Sequence, residues 1–197
     1  MADRVRLLIL AAACALSLGC TSAQKDAAPR FAGLCASPDF RAFDFWLGSW
    51  TIRQRILGAD GGWIELPAAT TVSASPDGCV LTEHWSGDVR FFWEGMTEPA
   101  RIWGYSVRRF DPATATWAIY WMDSRKPDFD TPYVGGIDDG RGAFFRDFEA
   151  PDGLRRSRIV FERRSDDDVF WELAVSADGG ATFAPIWTMD MRRAARP

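Results

Sequence analysis

Residues 102–123 read IWGYSVRRFDPATATWAIYWMD, and their alternation decides the fold class. Strict period-2 alternation is the mark of a strand with two different faces. Trp117, Ile119, Trp121 and Asp123 share one side of the second run, and Ala118, Tyr120 and Met122 share the other. Trp103, Tyr105 and Val107 align in the same way on the first run. The link Asp111-Pro112-Ala113-Thr114 suits a turn, because proline presets φ and aspartate caps nearby amides. The stretch is an antiparallel hairpin.

Working outward, the same pattern recurs along the chain. Candidate strands are 50–57, 68–74, 79–86, 89–93, 102–110, 116–123, 133–137, 142–148, 154–163, 168–175 and 182–192. Between them stand Asp60-Gly61-Gly62, Ser75-Pro76-Asp77-Gly78, Asp138-Asp139-Gly140, Pro151-Asp152-Gly153 and Asp178-Gly179-Gly180. Asp-Gly and Gly-Gly between alternating runs are strong hairpin signals. Short strands at this spacing, with no sustained helical period, predict an all-β sandwich or barrel. Only Pro38 to Leu47 offers a helical turn or two, placed to cap one barrel end. In the first strand Ile52, Gln54 and Ile56 oppose Thr51, Arg53 and Arg55, so the interior is expected to be apolar with occasional polar groups.

The chain has 197 residues, enough for one domain, and its 47% hydrophobic content is ordinary for a globular protein. Ten Trp and fourteen Phe against three Tyr are not ordinary, and they make an aromatic interior the central expectation. Net charge is −4. That excludes a nucleic-acid surface, which needs clustered Lys and Arg to displace counterions. The basic pairs Arg108-Arg109, Arg155-Arg156 and Arg163-Arg164 lie beside acids and read as solvated strand ends or turns.

The N-terminus reads MADRVRLLILAAACALSLGC. Arg4 and Arg6 precede an apolar run, Leu7 to Leu18, that falls short of the ~20 residues needed to cross a bilayer. Residues 1–20 therefore read as a secretory signal, 21–34 as a linker and 35–193 as a single domain in a periplasmic compartment. Leu18-Gly19-Cys20 resembles a lipobox, which would make Cys20 a lipidated anchor and the chain's one membrane contact. A plain cut after Ala23 satisfies the small-x-small rule equally. Cys35 and Cys79 stay in the mature domain. In an oxidising compartment they either pair, removing unfolded-chain freedom worth ~3–4 kcal/mol, or sit as two buried thiols. One histidine and no Cys-x-x-Cys spacing leave no metal site, and no cofactor is indicated.

The run Phe43-Asp44-Phe45-Trp46-Leu47-Gly48-Ser49-Trp50 resembles the start of an uncharacterised family of bacterial exported proteins that open FDFWLG-x-W. Gly78-Cys79-Val80 leading to Glu83-His84-Trp85, then Phe110 to Thr114 with Trp117, and Ser176 to Phe183 match it in order, so the likeness spans about Cys35 to Arg192. It implies an antiparallel up-and-down, calycin-like barrel of about 8–11 strands, related in architecture to lipocalins and nitrobindins. Gly48-Ser49-Trp50 is similar to the lipocalin Gly-x-Trp signature, which implies a structural Trp50 packed across the closed end. A nitrobindin-like barrel would hold haem through a histidine near the C-terminus, and this chain has none there.

Separately, Ser176-Ala177-Asp178-Gly179-Gly180-Ala181-Thr182-Phe183 resembles an Asp-box, read here as one well-made hairpin in which Asp178 caps loop amides.

A small barrel holds either packed side chains or one small ligand, and the aromatic surplus serves both readings. Trp103, Tyr105, Trp117 and Trp121 are the candidate walls of a cup for an apolar or amphipathic molecule. His84, sharing a face with Val80, Thr82 and Ser86, is read as an inward group, and Asp123 as a carboxylate at the barrel mouth. Beside indoles Asp123 either has a raised pKa, which with His84 gives the alternative reading of an acid/base enzyme, or is a strand-end carboxylate bonding turn amides. The third reading is a structural envelope lipoprotein without ligand. Nucleophile-elbow, phosphate-loop and dinucleotide motifs are all missing from the sequence, so a binding protein is favoured.

Overall fold

A computed structural model describes residue 33 and residues 35–151 and 153–195. The signal, the lipobox with Cys20 and nearly all of the linker lie outside the described residues. Ten strands follow one another: β1 (Gly48–Leu57), β2 (Trp63–Ala74), β3 (Val80–Val89), β4 (Ala100–Asp111), β5 (Thr116–Asp123), β6 (Tyr133–Asp138), β7 (Arg141–Ala150), β8 (Gly153–Ser165), β9 (Asp168–Ser176) and β10 (Ala184–Arg193). Each pairs antiparallel with its chain neighbours, and β1 pairs with β10 to close the barrel. Closure leaves no free sheet edge. Of the sandwich or barrel that the strand spacing left open, this is the barrel, with the up-and-down order that the resemblance implied.

One expected strand does not form. Residues 89–93 do not make a separate strand: β3 runs on through Val89, and Phe92–Glu94 closes into a 3-10 turn ending at Gly95 with φ +76°. The apolar run Phe91-Phe92-Trp93 imitates a strand but breaks where the chain must turn back. β5 and β6 pair over three positions, Trp117–Ile119 against Gly135–Tyr133, so residues 124–132 leave the ladder and arch over this end.

The opposite end is plugged from the N-terminal side. Two 3-10 turns, Pro38–Arg41 and Asp44–Trp46, and the link between them carry Phe40, Trp46 and Phe43 into the barrel. Phe43 meets Trp117 and Phe161 edge-on at 5.0 and 5.3 Å, and Phe40 meets Phe110 at 5.1 Å. Trp50 packs beneath Trp46 and donates its indole N–H to the Trp46 carbonyl at 2.8 Å. Arg193, at the end of β10, lies 4.2 Å above the Trp50 ring and donates to the carbonyls of Leu47 and Phe45. First and last strands therefore hold the plug jointly.

The Cys35–Cys79 disulfide, with Cα atoms 5.0 Å apart, ties the plug's leading segment to the β2–β3 turn. In the β9–β10 loop, Asp178 accepts from the Ser176 hydroxyl, the Thr182 hydroxyl and the Thr182 amide at 2.6–2.9 Å. Those bonds hold its carboxyl far below the usual range. The Asp-box is a hairpin staple, as read from the sequence.

Candidate functional site

Above the plug the barrel is hollow. A cavity of about 180 Å³ lies between the plug and the loops at the other end. Its sides are aromatic and aliphatic: Trp85 from β3, Ile119 and Trp121 from β5, Ile159 and Phe161 from β8, Trp171 and Leu173 from β9, and Trp187 and Met189 from β10. Three of the indoles meet edge to face around Trp187, with Trp171 at 5.3 Å and Trp85 at 5.9 Å. Trp121 reaches across the wall because residue 104 is glycine; a Cβ there would collide with the Trp121 ring. The Trp187 indole donates to Gln54 at 2.8 Å, and Gln54 in turn donates to the Asp88 carbonyl at 2.7 Å.

At the floor sits a buried ion pair. Arg108 donates through Nη2 to Glu83 Oε2 at 2.8 Å, and the two side chains are 4% and 7% exposed. Glu83 is held from both sides: Ser106 donates to the same oxygen and Thr70 to Oε1, each at 2.9 Å. The register explains the meeting, because Glu83 stands opposite Ser106, and Leu81 opposite Arg108, across the β3–β4 ladder. Phe43, Trp46 and Phe161 surround the guanidinium at 5.4–5.6 Å from its carbon to each ring centre. Rings in this position favour a cation electrostatically but carry no lone pair for its N–H groups. Arg108 was expected at a solvated strand end; instead it is an interior group, because its β4 neighbours Ile102, Ser106 and Phe110 all face inward.

The mouth is lined by Phe91, Trp93 and Glu94 from the β3–β4 connection and by Arg125, Lys126 and Asp130 from the β5–β6 connection. Arg125 links the two. It reaches Glu94 on one side, lies 4.9 Å over the Phe91 ring, and donates through Nε and Nη2 to Asp123 at 2.9 and 2.7 Å. On the far wall Arg146 lies 4.4 Å over Tyr133 and 3.3 Å from Asp130. Burial pushes the Tyr133 phenol above its ordinary range.

The structure distributes the sequence candidates unevenly. Trp121 lines the cavity. Trp117 is buried in the plug against Phe43 and Phe110, below the cavity. Trp103 is 63% exposed on the outer face of β4, and Tyr105 and His84 share that outer face, their rings 5.0 Å apart. His84 thus points outward, opposite to the inward placement read from the sequence; Glu83 and Trp85 take the inward positions beside it. Asp123 does face inward at the mouth, but as the ionised partner of Arg125. Burial pushes its carboxyl up, and the hydrogen bonds from the Arg125 side chain and amide and from the Trp121 indole outweigh that and hold it below the ordinary range. Of the two readings of Asp123, the strand-end carboxylate bonded to a turn amide is the one seen, and the pKa is lowered instead of raised. Nor do His84 and Asp123 converge, since they occupy opposite faces of the wall.

Among the described residues, no three His, Cys, Asp or Glu side chains stand together as a metal-holding group.

No family model and no curated protein matches the chain. Solved structures do. Rv2717c from M. tuberculosis superposes with a TM-score of 0.51 at 12% identity, over 81% of this chain and 99% of that one. The S-type phycobiliprotein lyase CPES from Guillardia theta gives 0.48 at 12% identity over 86% and 100%. EF1p2_mFAP2b bound to DFHBI gives 0.42 at 12% identity over 79% and 98%. At such identity a likeness speaks for fold alone, and the Rv2717c superposition is consistent with the barrel fold that the resemblance implied.

Proposed function

We propose that this chain is an exported binding barrel whose interior takes up one small apolar or amphipathic molecule. The observation that carries the reading is the cavity: a hollow closed barrel walled by four indoles, with a few fixed polar groups at floor and mouth. Apolar and aromatic walls with sparse convergent polar groups are how small-molecule sites are built. Its volume sets the ligand's size. An apolar cavity on the order of 150 Å³ accommodates benzene, so about 180 Å³ takes one substituted ring and excludes an enclosed long acyl chain. His84, the only imidazole in the chain, is on the outer face and supplies nothing to the cavity. Export rests on the N-terminal segment; a disulfide-bonded pair of cysteines suits an oxidising compartment, and lipidation at Cys20 would hold the barrel at a membrane.

Four wall tryptophans make the test direct. Intrinsic emission titrated with single-ring arenes, with a long-chain fatty acid and with haem is expected to respond saturably to the arenes. Emission that stays unchanged across all of them would remove this reading.

A further inference from the structure

The cavity's polar atoms divide by sign, and the division describes the ligand. Among the described residues, the buried side-chain polar atoms lacking a hydrogen-bond partner are Trp46 Nε1, Trp85 Nε1, Arg108 Nε and Nη1, Arg146 Nε, Arg158 Nε, Asp44 Oδ1 and Asp168 Oδ1. The residues of this set that line the cavity are Trp46, Trp85, Arg108 and Arg146, and every unpartnered atom they carry is an N–H donor. Both unpartnered acceptors, on Asp44 and Asp168, belong to residues outside the cavity wall.

The carboxylates on the wall already have partners. Glu83 takes three donors on its two oxygens, Asp130 pairs with Lys126 and Arg146, and Glu94 pairs with Arg125. Buried polar groups in native proteins are almost always partnered, and a site whose polar atoms lack partners within the chain points to a partner from outside it. A ligand that brought a donor would have to compete with these partners for the wall carboxylates. A ligand that brings an acceptor meets the Arg108 guanidinium, which aromatic faces stabilise electrostatically and only Glu83 hydrogen-bonds.

From this, resting on the binding reading above, we infer that the ligand is a compact single-ring molecule carrying an sp² oxygen acceptor, a carboxylate or a carbonyl. Its ring stacks among Trp85, Trp121, Trp171 and Trp187, and its oxygen lies at the floor against Arg108. Glu83 holds the guanidinium from the wall side and the Ser106 hydroxyl holds Glu83, so together they position the donor.

The test compares four single-ring probes on the intact protein by fluorescence quenching and calorimetry: benzoate and acetophenone, matched to each other in size, and the smaller matched pair toluene and aniline. Benzoate, acetophenone or both are expected to bind about tenfold or more tighter than toluene, as a hydrogen bond to a charged donor predicts; which of the two leads tells an anionic ligand from a neutral carbonyl. Aniline is expected to bind no tighter than toluene. In a Glu83→Gln/Arg108→Met double variant the acceptor-to-toluene affinity ratio should fall towards one. If all four arenes bind alike, or aniline binds best, the acceptor assignment is overturned while the binding barrel stands. If none binds, the binding reading itself fails. The wild-type comparison decides even where the variant does not fold.

Discussion

Replacing Arg108 with Met tests how the barrel tolerates an ion pair at its floor. Met keeps much of the stem's volume and removes the charge, so Glu83 is left at 7% side-chain exposure with only the Thr70 and Ser106 hydroxyls as donors. Removing one member of a buried pair costs about 3–5 kcal/mol, because the other charge stays desolvated and uncompensated. For a domain of this size each kcal/mol moves the melting temperature by about 2–4 °C, so Arg108→Met should melt roughly 6–20 °C lower. Glu83→Gln/Arg108→Met removes both charges together. Replacing a whole buried pair is often close to neutral, so the double variant should recover most of the loss. Thermal melts followed by circular dichroism, with urea titrations for free energies, measure both. The reasoning is refuted if the single variant melts with the wild type, or if the double variant is at least as unstable as the single.

Three other outcomes follow from the geometry. Asp123 has a folded pKa below its unfolded value, so its stabilisation is complete above the unfolded pKa and is lost as pH falls through the folded one; Asp123→Asn should be less stable than wild type at neutral pH and lose part of the acid-dependent fall, as pH-resolved urea unfolding would show. Reducing the Cys35–Cys79 bond, or replacing both with Ser, should lower stability by up to about 4 kcal/mol for a 44-residue separation, read as a drop in melting temperature with and without reductant. Glu94→Gln frees Arg125 from the opposite lip of the mouth; since such partly exposed pairs contribute about 0–1 kcal/mol, ligand association and dissociation should both quicken by no more than about fivefold, visible in stopped-flow quenching, while affinity hardly moves.

Much of the fold is legible because its signals are local. Alternation in 116–123 and Asp-Gly turns mark strands and hairpins, and the cysteine pair and Gly48-Ser49-Trp50 mark the closed end. The site is less legible, since period-2 alternation says which residues share a face and not which face is inside. On β4 the aromatic set Trp103 and Tyr105 competes with Gly104, Ser106 and Arg108, and composition favours the aromatics. The outcome turns on Trp121, whose ring needs the space above Gly104 and so forces that set inward. The same parity moves His84 out and Glu83 in. Arg108 and Glu83 are 25 residues apart, and only the β3–β4 register makes them partners. Reading 89–93 as a separate strand hid that register, because it placed a turn inside what is one uninterrupted β3 up to Val89. The glycine at 104, facing a strand with two tryptophans, was the one signal in the sequence that could have fixed the side.

The central claim is that the interior is hollow and takes up an aromatic guest. Crystals soaked in bromobenzene, with data collected at the bromine absorption edge, test it most directly. The account predicts one strong anomalous peak inside the barrel, enclosed by Trp85, Trp121, Trp171 and Trp187. A barrel interior without that peak, with the indoles closed onto one another, would contradict it.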